Sequence, residues 1–262
     1  MNLLMLKDNL KRSKDVLLHD SGDFFLFVIA AIISTLIFYR QTRDEFVAML
    51  ILSVLWIFFW RESDIKGKVF LVFASVVGYV HELIGVKVEF FTYLGGFFGG
   101  VPLWVLPGYG AIFWASYNFF KIFEERYGKE AWFSKIEYLL LGATIALIAI
   151  DWTVLDLSQK PIEIILGLIL SLLLFGSSKE IRLAYSVALF TVFDEIAGEI
   201  IGTWTHTQFS IFSLMSGYVF LLWMCLTITE ILNGTKKWRA IEIISAIGLF
   251  VLFGLDVWMR VS

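Results

Sequence analysis

The chain has 262 residues, 59% of them hydrophobic and only 17% charged, with a mean hydropathy of +0.81 and a formal net charge of -3. Soluble domains carry about 45–50% apolar and about 25% charged residues, so a soluble globular enzyme and a disordered chain are excluded. The slightly negative balance leaves no basic footprint for nucleic acid, and the single cysteine, Cys225, excludes an intrachain disulfide and every multi-cysteine metal site.

Residues 1–23 place Leu3, Leu4, Leu6, Leu10, Val16, Leu17 and Leu18 among charges. That is too polar for a signal-peptide core, and it predicts an amphipathic segment lying on the cytoplasmic surface. A helix crossing the ~30 Å hydrocarbon layer needs about 20 mostly apolar residues. Nine stretches come close: Phe24–Tyr39, Phe46–Trp60, Val69–Phe90, Phe98–Phe120, Ile136–Ile150, Ile162–Phe175, Ile181–Thr203, Phe209–Leu232 and Ile241–Trp258. Continuous apolar runs, rather than alternating ones, predict an all-α polytopic membrane bundle and not a β-barrel.

Lys and Arg positions set the expected orientation. With the N-terminus inside, 16 of the 21 basic residues fall on cytoplasmic segments, and Arg40, Arg43, Lys87, Lys160 and Arg260 fall outside. The positive-inside rule therefore predicts N-inside, C-outside, in a prokaryotic-type cytoplasmic membrane. Trp60, Trp132 and Trp238 fall near the inner interface, and Trp152, Trp204 and Trp258 near the outer one, as an aromatic belt does.

Two segments align without gaps. His81-Glu82-Leu83-Ile84-Gly85 leads to Phe91-Thr92-Tyr93, and Asp194-Glu195-Ile196-Ala197-Gly198 leads to Trp204-Thr205-His206. Further on, Gly108-Tyr109 with Trp114 matches Gly217-Tyr218 with Trp223. The pattern predicts a parallel 4+4 internal repeat, residues 24–122 and 133–232, with a ninth helix at 239–262. Sites in such proteins form at the interface between repeats.

The third predicted span carries His81, Glu82 and Glu89, and the seventh carries Asp194, Glu195 and Glu199. One ionisable group in mid-bilayer costs about 2.5–3.5 kcal/mol or more, so these groups are expected to face the interior, except that Glu89 and Glu199, nearer the outer end, also fit solvated positions. A buried pair of acids suits one neutral carboxylic acid beside one carboxylate, the arrangement general acid/base work needs. His81, Gly85 and Glu89 fall on one helical stripe, and Asp194, Gly198 and Gly202 on its counterpart. Small residues there predict that the two helices meet closely, with His81 and Asp194 paired. Glu82, Glu195, His81 and Asp194 are thus the candidate catalytic residues. Tyr93, Trp104, Tyr109, Glu199, Trp204 and His206 are the candidate substrate-binding residues. Any one of these polar groups also fits a role as helix glue, at about 0.6 kcal/mol per hydrogen bond. His81-Glu82 is not a zinc motif, because Gly85 stands where the second histidine belongs, and no metal or cofactor is expected. The run from Gly99 to Gly110 holds Pro102 and Pro107, and predicts either a kinked, re-entrant opening or a helix start with a tight loop.

Glu82-x-x-Gly85-Val86, then Tyr93, then Gly100-Val101-Pro102 and Pro107 together resemble the membrane carotenoid hydratase family of the bacterioruberin type, over about 30 of the 262 residues. Glu89-Phe90-Phe91-Thr92 stands where that family has Gly-x-Pro-Phe-Gly. The resemblance implies addition of water across a terminal isoprenoid double bond, with Glu82 as acid, Tyr93 in the pocket, and a membrane lipid or isoprenoid as partner. Such chemistry needs a strong acid and a base for water, and aromatic rings can stabilise a carbocation. A proton-coupled carrier using the same carboxylates, and a non-catalytic scaffold, are the competing expectations. The oligomeric state is not legible.

Overall fold

A computed structural model describes residues 21–130, 161–207 and 211–261, with nine further positions between 135 and 146. Residues 1–20, seven of the fifteen residues of the fifth predicted span, Trp132, Trp152 and Lys160 lie outside the described residues. The chain is mostly helical. In order it forms α1 (Ser21–Thr42), α2 (Glu45–Glu62), α3 (Ile65–Lys87), β1 (Phe91–Tyr93), α4 (Val105–Tyr127), α5 (Pro161–Leu173), α6 (Ser178–Ile201), β2 (Trp204–His206), α7 (Ile211–Leu232) and α8 (Ala240–Val261). By length and composition, Gly22–Thr42, Ile65–Lys87 and Leu214–Leu232 suffice to cross a membrane. The 23 residues of α3 reach about 34 Å at 1.5 Å each, enough for the hydrocarbon layer. Leu26, Leu50, Val54, Ile65, Phe250 and Trp258 stand exposed on the outside of the bundle, where contact with acyl chains costs them nothing.

Short polar side chains set the helix starts. Asp44, Asp64 and Ser177 accept from the backbone N–H of Val47 (3.1 Å), Gly67 (2.8 Å) and Glu180 (3.3 Å), satisfying donors that a first helical turn leaves unpaired. α3 and α6 both end on a left-handed residue, Glu89 with φ 60° and Gly202 with φ 80°. In each case the turn is closed on the same helical residue: Phe90 N–H bonds Gly85 C=O, and Thr203 N–H bonds Gly198 C=O.

β1 and β2 then pair antiparallel, with Thr92 opposite Thr205. Leu94 N–H to Thr203 C=O and Thr207 N–H to Phe90 C=O extend the ribbon at each end, both at 2.9 Å. Because each strand directly follows its helix, α3 and α6 finish on the same side of the bundle. The all-α expectation omitted these strands. Three residues carry no readable alternation, and each strand exists only because the other supplies its hydrogen bonds.

α3 packs on α4 and α7, and α6 packs on α7 and α4, so four helices form a ring with α3 and α6 on one diagonal. α1 lies against α2, α4 and α6, while α5 bridges α7 and α8. The α3–α4 seam is the tightest: an added Cβ on Gly78 would fall inside the ring of Tyr109, and one on Gly110 would meet Ser75, Trp56 and the Leu71 carbonyl. Close approach of this kind is what small residues allow in membrane helices.

The fourth span differs from its predicted bounds. Residues 98–104 form a tight loop, with Phe98 bridged to Val101 and positive φ at Gly99 and Gly100, and the helix begins only at Val105. Pro107 sits in its first turn, where the missing N–H has no intrahelical partner to lose. Glu45, at the start of α2, clamps this loop: its Oε2 accepts from the N–H groups of Phe97 and Leu103, each at 3.2 Å. Glu45→Ala is expected to cost about 1–2 kcal/mol, given two partly exposed hydrogen bonds to a charged group. It should also raise amide hydrogen exchange across residues 95–104, whereas Glu45→Gln, which keeps an acceptor oxygen, should restore protection. Unchanged exchange in Glu45→Ala would refute the clamp.

Candidate functional site

Two glutamates and two tyrosines meet inside the four-helix ring. Glu82 lies near the end of α3 with 3% of its surface exposed. Its Oε1 accepts from the hydroxyl of Tyr109 on α4, and its Oε2 accepts from the hydroxyl of Tyr93 on β1 at 2.7 Å. Across the ring, the hydroxyl of Tyr218 on α7 bonds Oε1 of Glu195 on α6. The hydroxyls of Tyr109 and Tyr218 are 3.4 Å apart. The result is a line of four groups, Glu82–Tyr109–Tyr218–Glu195, drawing one member from each helix. Burial first, and then the Glu82 charge, hold the Tyr93 hydroxyl well above the ordinary value of a phenol, which keeps it a donor to Glu82.

A second partner stands beside each glutamate, and the two differ. Glu82 has the phenol of Tyr93. Glu195 has the imidazole of His206, with Nε2 at 3.8 Å from Oε2. His206 Nδ1 lies 2.8 Å from Glu199 Oε2, and its backbone N–H reaches Glu199 Oε1 at 3.4 Å. About a third of the Glu199 side chain is exposed, so a polar line runs from Glu195 to the molecular surface.

Glu195 also faces a cavity of about 40 Å³. Ile32 and Leu36 of α1, Leu52 of α2, Val105 and Ile112 of α4 and the indoles of Trp104 and Trp204 form its apolar walls. Asp194, Thr191, Tyr93 and Tyr109 supply the polar edge. A water needs about 10–15 Å³ of such space, so the cavity has room for about three. The indole N–H groups of Trp104 and Trp204 are buried without a hydrogen bond of ordinary geometry.

Four sequence expectations need correction. His81 does not pair with Asp194: its side chain is 48% exposed, and its Nδ1 lies 3.5 Å from Glu82 Oε1. Successive helical residues point about 100° apart, so burying Glu82 turns His81 outward. Gly85 and Gly198 do not serve helix–helix contact. They make room for the aromatic ring of the strand that follows, Phe91 against Gly85 and Trp204 against Gly198. Glu89 is exposed, as its place near the outer end allows, but it lies in the turn after the helix and not on the helical stripe expected to carry it with His81 and Gly85. Trp204 is 5% exposed and packs against Tyr93 and Trp104, away from any lipid belt.

Of the other candidates, Glu82, Glu195, Tyr93, Tyr109, Trp104 and Asp194 are gathered at or beside the cavity, and Glu199 and His206 form the line to the surface. Tyr218 was not among the expected site residues, although the Gly217-Tyr218 match to Gly108-Tyr109 carried the signal. Comparison with protein-family models, with curated proteins and with solved structures yields no match. Fold and site together define a mostly helical chain, with three helices long and apolar enough to cross a membrane, in which two tyrosines bridge a buried Glu82 to a largely buried Glu195.

Proposed function

We propose that this protein is an intramembrane acid/base enzyme acting on a lipid or isoprenoid, of carotenoid type, by hydration of a carbon–carbon double bond. The observation that carries the reading is the line of two carboxyls and two phenols beside a cavity walled by aliphatic and indole groups. An acid in apolar surroundings retains its proton and can deliver it to carbon. In the reaction one carboxyl proton goes to one alkene carbon, a water oxygen bonds to the other, and the surplus proton of that water returns to a carboxylate. The cavity has room for the water. Ile32 and Leu36 of α1 wall the cavity, and the same helix carries Leu26, Phe27 and Ile37 exposed, so the alkene end would enter from the acyl layer past that helix. The local resemblance of Glu82 to Pro107 to carotenoid hydratases supports the same substrate class.

The accompanying architecture is nine spans, N-inside and C-outside, built as two parallel four-helix repeats plus one helix. Support for the duplication comes from the matched pairs Glu82 and Glu195, Gly85 and Gly198, Glu89 and Gly202, Phe91 and Trp204, and Tyr109 and Tyr218, each pair occupying like positions. Proton-coupled transport is a second reading, favoured by the Glu199–His206–Glu195 line to the surface.

The test is expression in a host that accumulates acyclic carotenoids, with mass spectrometry of the extracted pigments. The parent chain should yield a product one water heavier, and Glu82→Gln and Glu195→Gln should lower its formation by about 10²–10⁴-fold, the usual worth of a general acid or base. No new product from a folded, membrane-inserted parent chain would discard hydration. Proton uptake by liposomes holding that chain would then establish the carrier reading.

A further inference from the structure

The line Glu82–Tyr109–Tyr218–Glu195 contains three oxygen–oxygen links. The two phenols bring two hydrogens. Filling all three links takes a third, and only a carboxyl can carry it. Two ionised carboxylates in one buried line would repel each other in a medium that screens them poorly. Both considerations leave the line with a single acidic proton.

The two ends are not equivalent hosts for it. Glu82 accepts from two phenols, Tyr93 and Tyr109, and two such donors stabilise a carboxylate. Glu195 is bonded to one phenol, has the indole N–H of Trp204 only as a looser second donor, and borders the cavity. His206, which stands at 3.8 Å from Glu195, is held more closely by Glu199 at 2.8 Å. The remaining ionisable neighbour on the same helix is Asp194. Among the described residues of α1 and α2, Ile32, Leu36 and Leu52 line the cavity, all three apolar, and Arg40 stands near Gly202.

We propose that Glu195–Tyr218–Tyr109–Glu82 is a one-proton chain whose resting proton sits on Glu195. Glu195 is the acid that meets the substrate, and Glu82 is the fixed carboxylate at the far end. In this state Glu195 donates to Tyr218, Tyr218 to Tyr109, and Tyr109 to Glu82. When Glu195 gives its proton away, the Tyr218 hydroxyl turns from Tyr109 to Glu195 while Tyr109 goes on donating to Glu82, and the link between the two phenols empties. The roles implied by the local family resemblance, which put the acid at Glu82, are thereby reversed.

The proposal rests on the acid/base reading of the site, but its test needs no substrate. A protonated buried carboxyl shows a C=O stretch in the infrared that ionised carboxylates lack. Spectra of the purified full chain in lipid nanodiscs at neutral pH are compared among variants carrying Asp194→Asn, which silences the adjacent acid. The parent background should show one such band. Glu195→Gln should abolish it, Glu195→Asp should move its frequency, and Glu82→Asp should leave the frequency in place. A band that survives Glu195→Gln, a band that moves with Glu82→Asp, or no band in the parent background would each overturn the proposal. Should Glu195→Gln fail to fold, the frequency shift in Glu195→Asp decides alone. If the band behaves as stated while no hydrated product forms, the substrate reading falls and the one-proton chain stands.

Discussion

Arg182→Ala is expected to lower the stability of the protein by about 3–5 kcal/mol, the cost of leaving a buried charge without its partner. Arg182, near the start of α6, and Glu124, near the end of α4, are 8% and 5% exposed. The guanidinium grips the carboxylate with two hydrogen bonds, Nε to Oε2 at 3.0 Å and Nη2 to Oε1. An ion pair on the surface contributes only about 0–1 kcal/mol. Burial changes the magnitude, because neither group can fall back on water when the other is removed. The pair ties together α4 and α6, which belong to opposite halves of the ring, at the end remote from the β1–β2 ribbon. Thermal unfolding in detergent should therefore show a large drop for Arg182→Ala. Replacing both by apolar residues, Glu124→Leu with Arg182→Met, should recover most of the loss, since a buried pair seldom outperforms well-packed hydrophobic groups. A single variant as stable as wild type would show that water reaches the pair.

Much of this fold was legible because apolar runs are local signals. The runs at α1, α2, α3, α6, α7 and α8 match their helices closely. The site was legible at Glu82 and Glu195, where an acid in an apolar run is costly enough to stand out. What could not be read was direction around the helix. The buried stripe of α3 is Gly78, Glu82 and Gly85, with His81 turned away. Both stripes have helical spacing, and in a helix apolar nearly all round, pattern does not choose between them. The ribbon and the Glu45 clamp were hidden for a different reason. Each depends on contacts between segments far apart in sequence, and neither leaves a mark on its own residues.

Gly198→Ala should be among the most damaging single-methyl changes. An added Cβ there falls well inside the indole of Trp204, on a helix that α4 and α7 hold in place and a strand that β1 holds in place. The methyl cannot be met by a small shift of a flexible tip, because the ring is 5% exposed and packed on Tyr93 and Trp104. Overpacking of this kind costs about 1–3 kcal/mol, and the indole lines the cavity beside Glu195, which its displacement would disturb. The variant should thus lose stability and function together. Two comparisons separate crowding from any general effect of alanine. Gly254, on α8, has nothing within 4 Å of an added Cβ, so Gly254→Ala should be neutral or gain up to about 1 kcal/mol of helix propensity. Trp204→Ala alone should cost about 3–5 kcal/mol, but in its background Gly198→Ala should cost little more, because the atoms it would strike are gone. Additive losses in that double variant would show that the glycine is needed for something other than the ring. A coupling of more than about 1 kcal/mol would fix the turn after α6, and with it the position of His206 beside Glu195, as a consequence of one missing side chain.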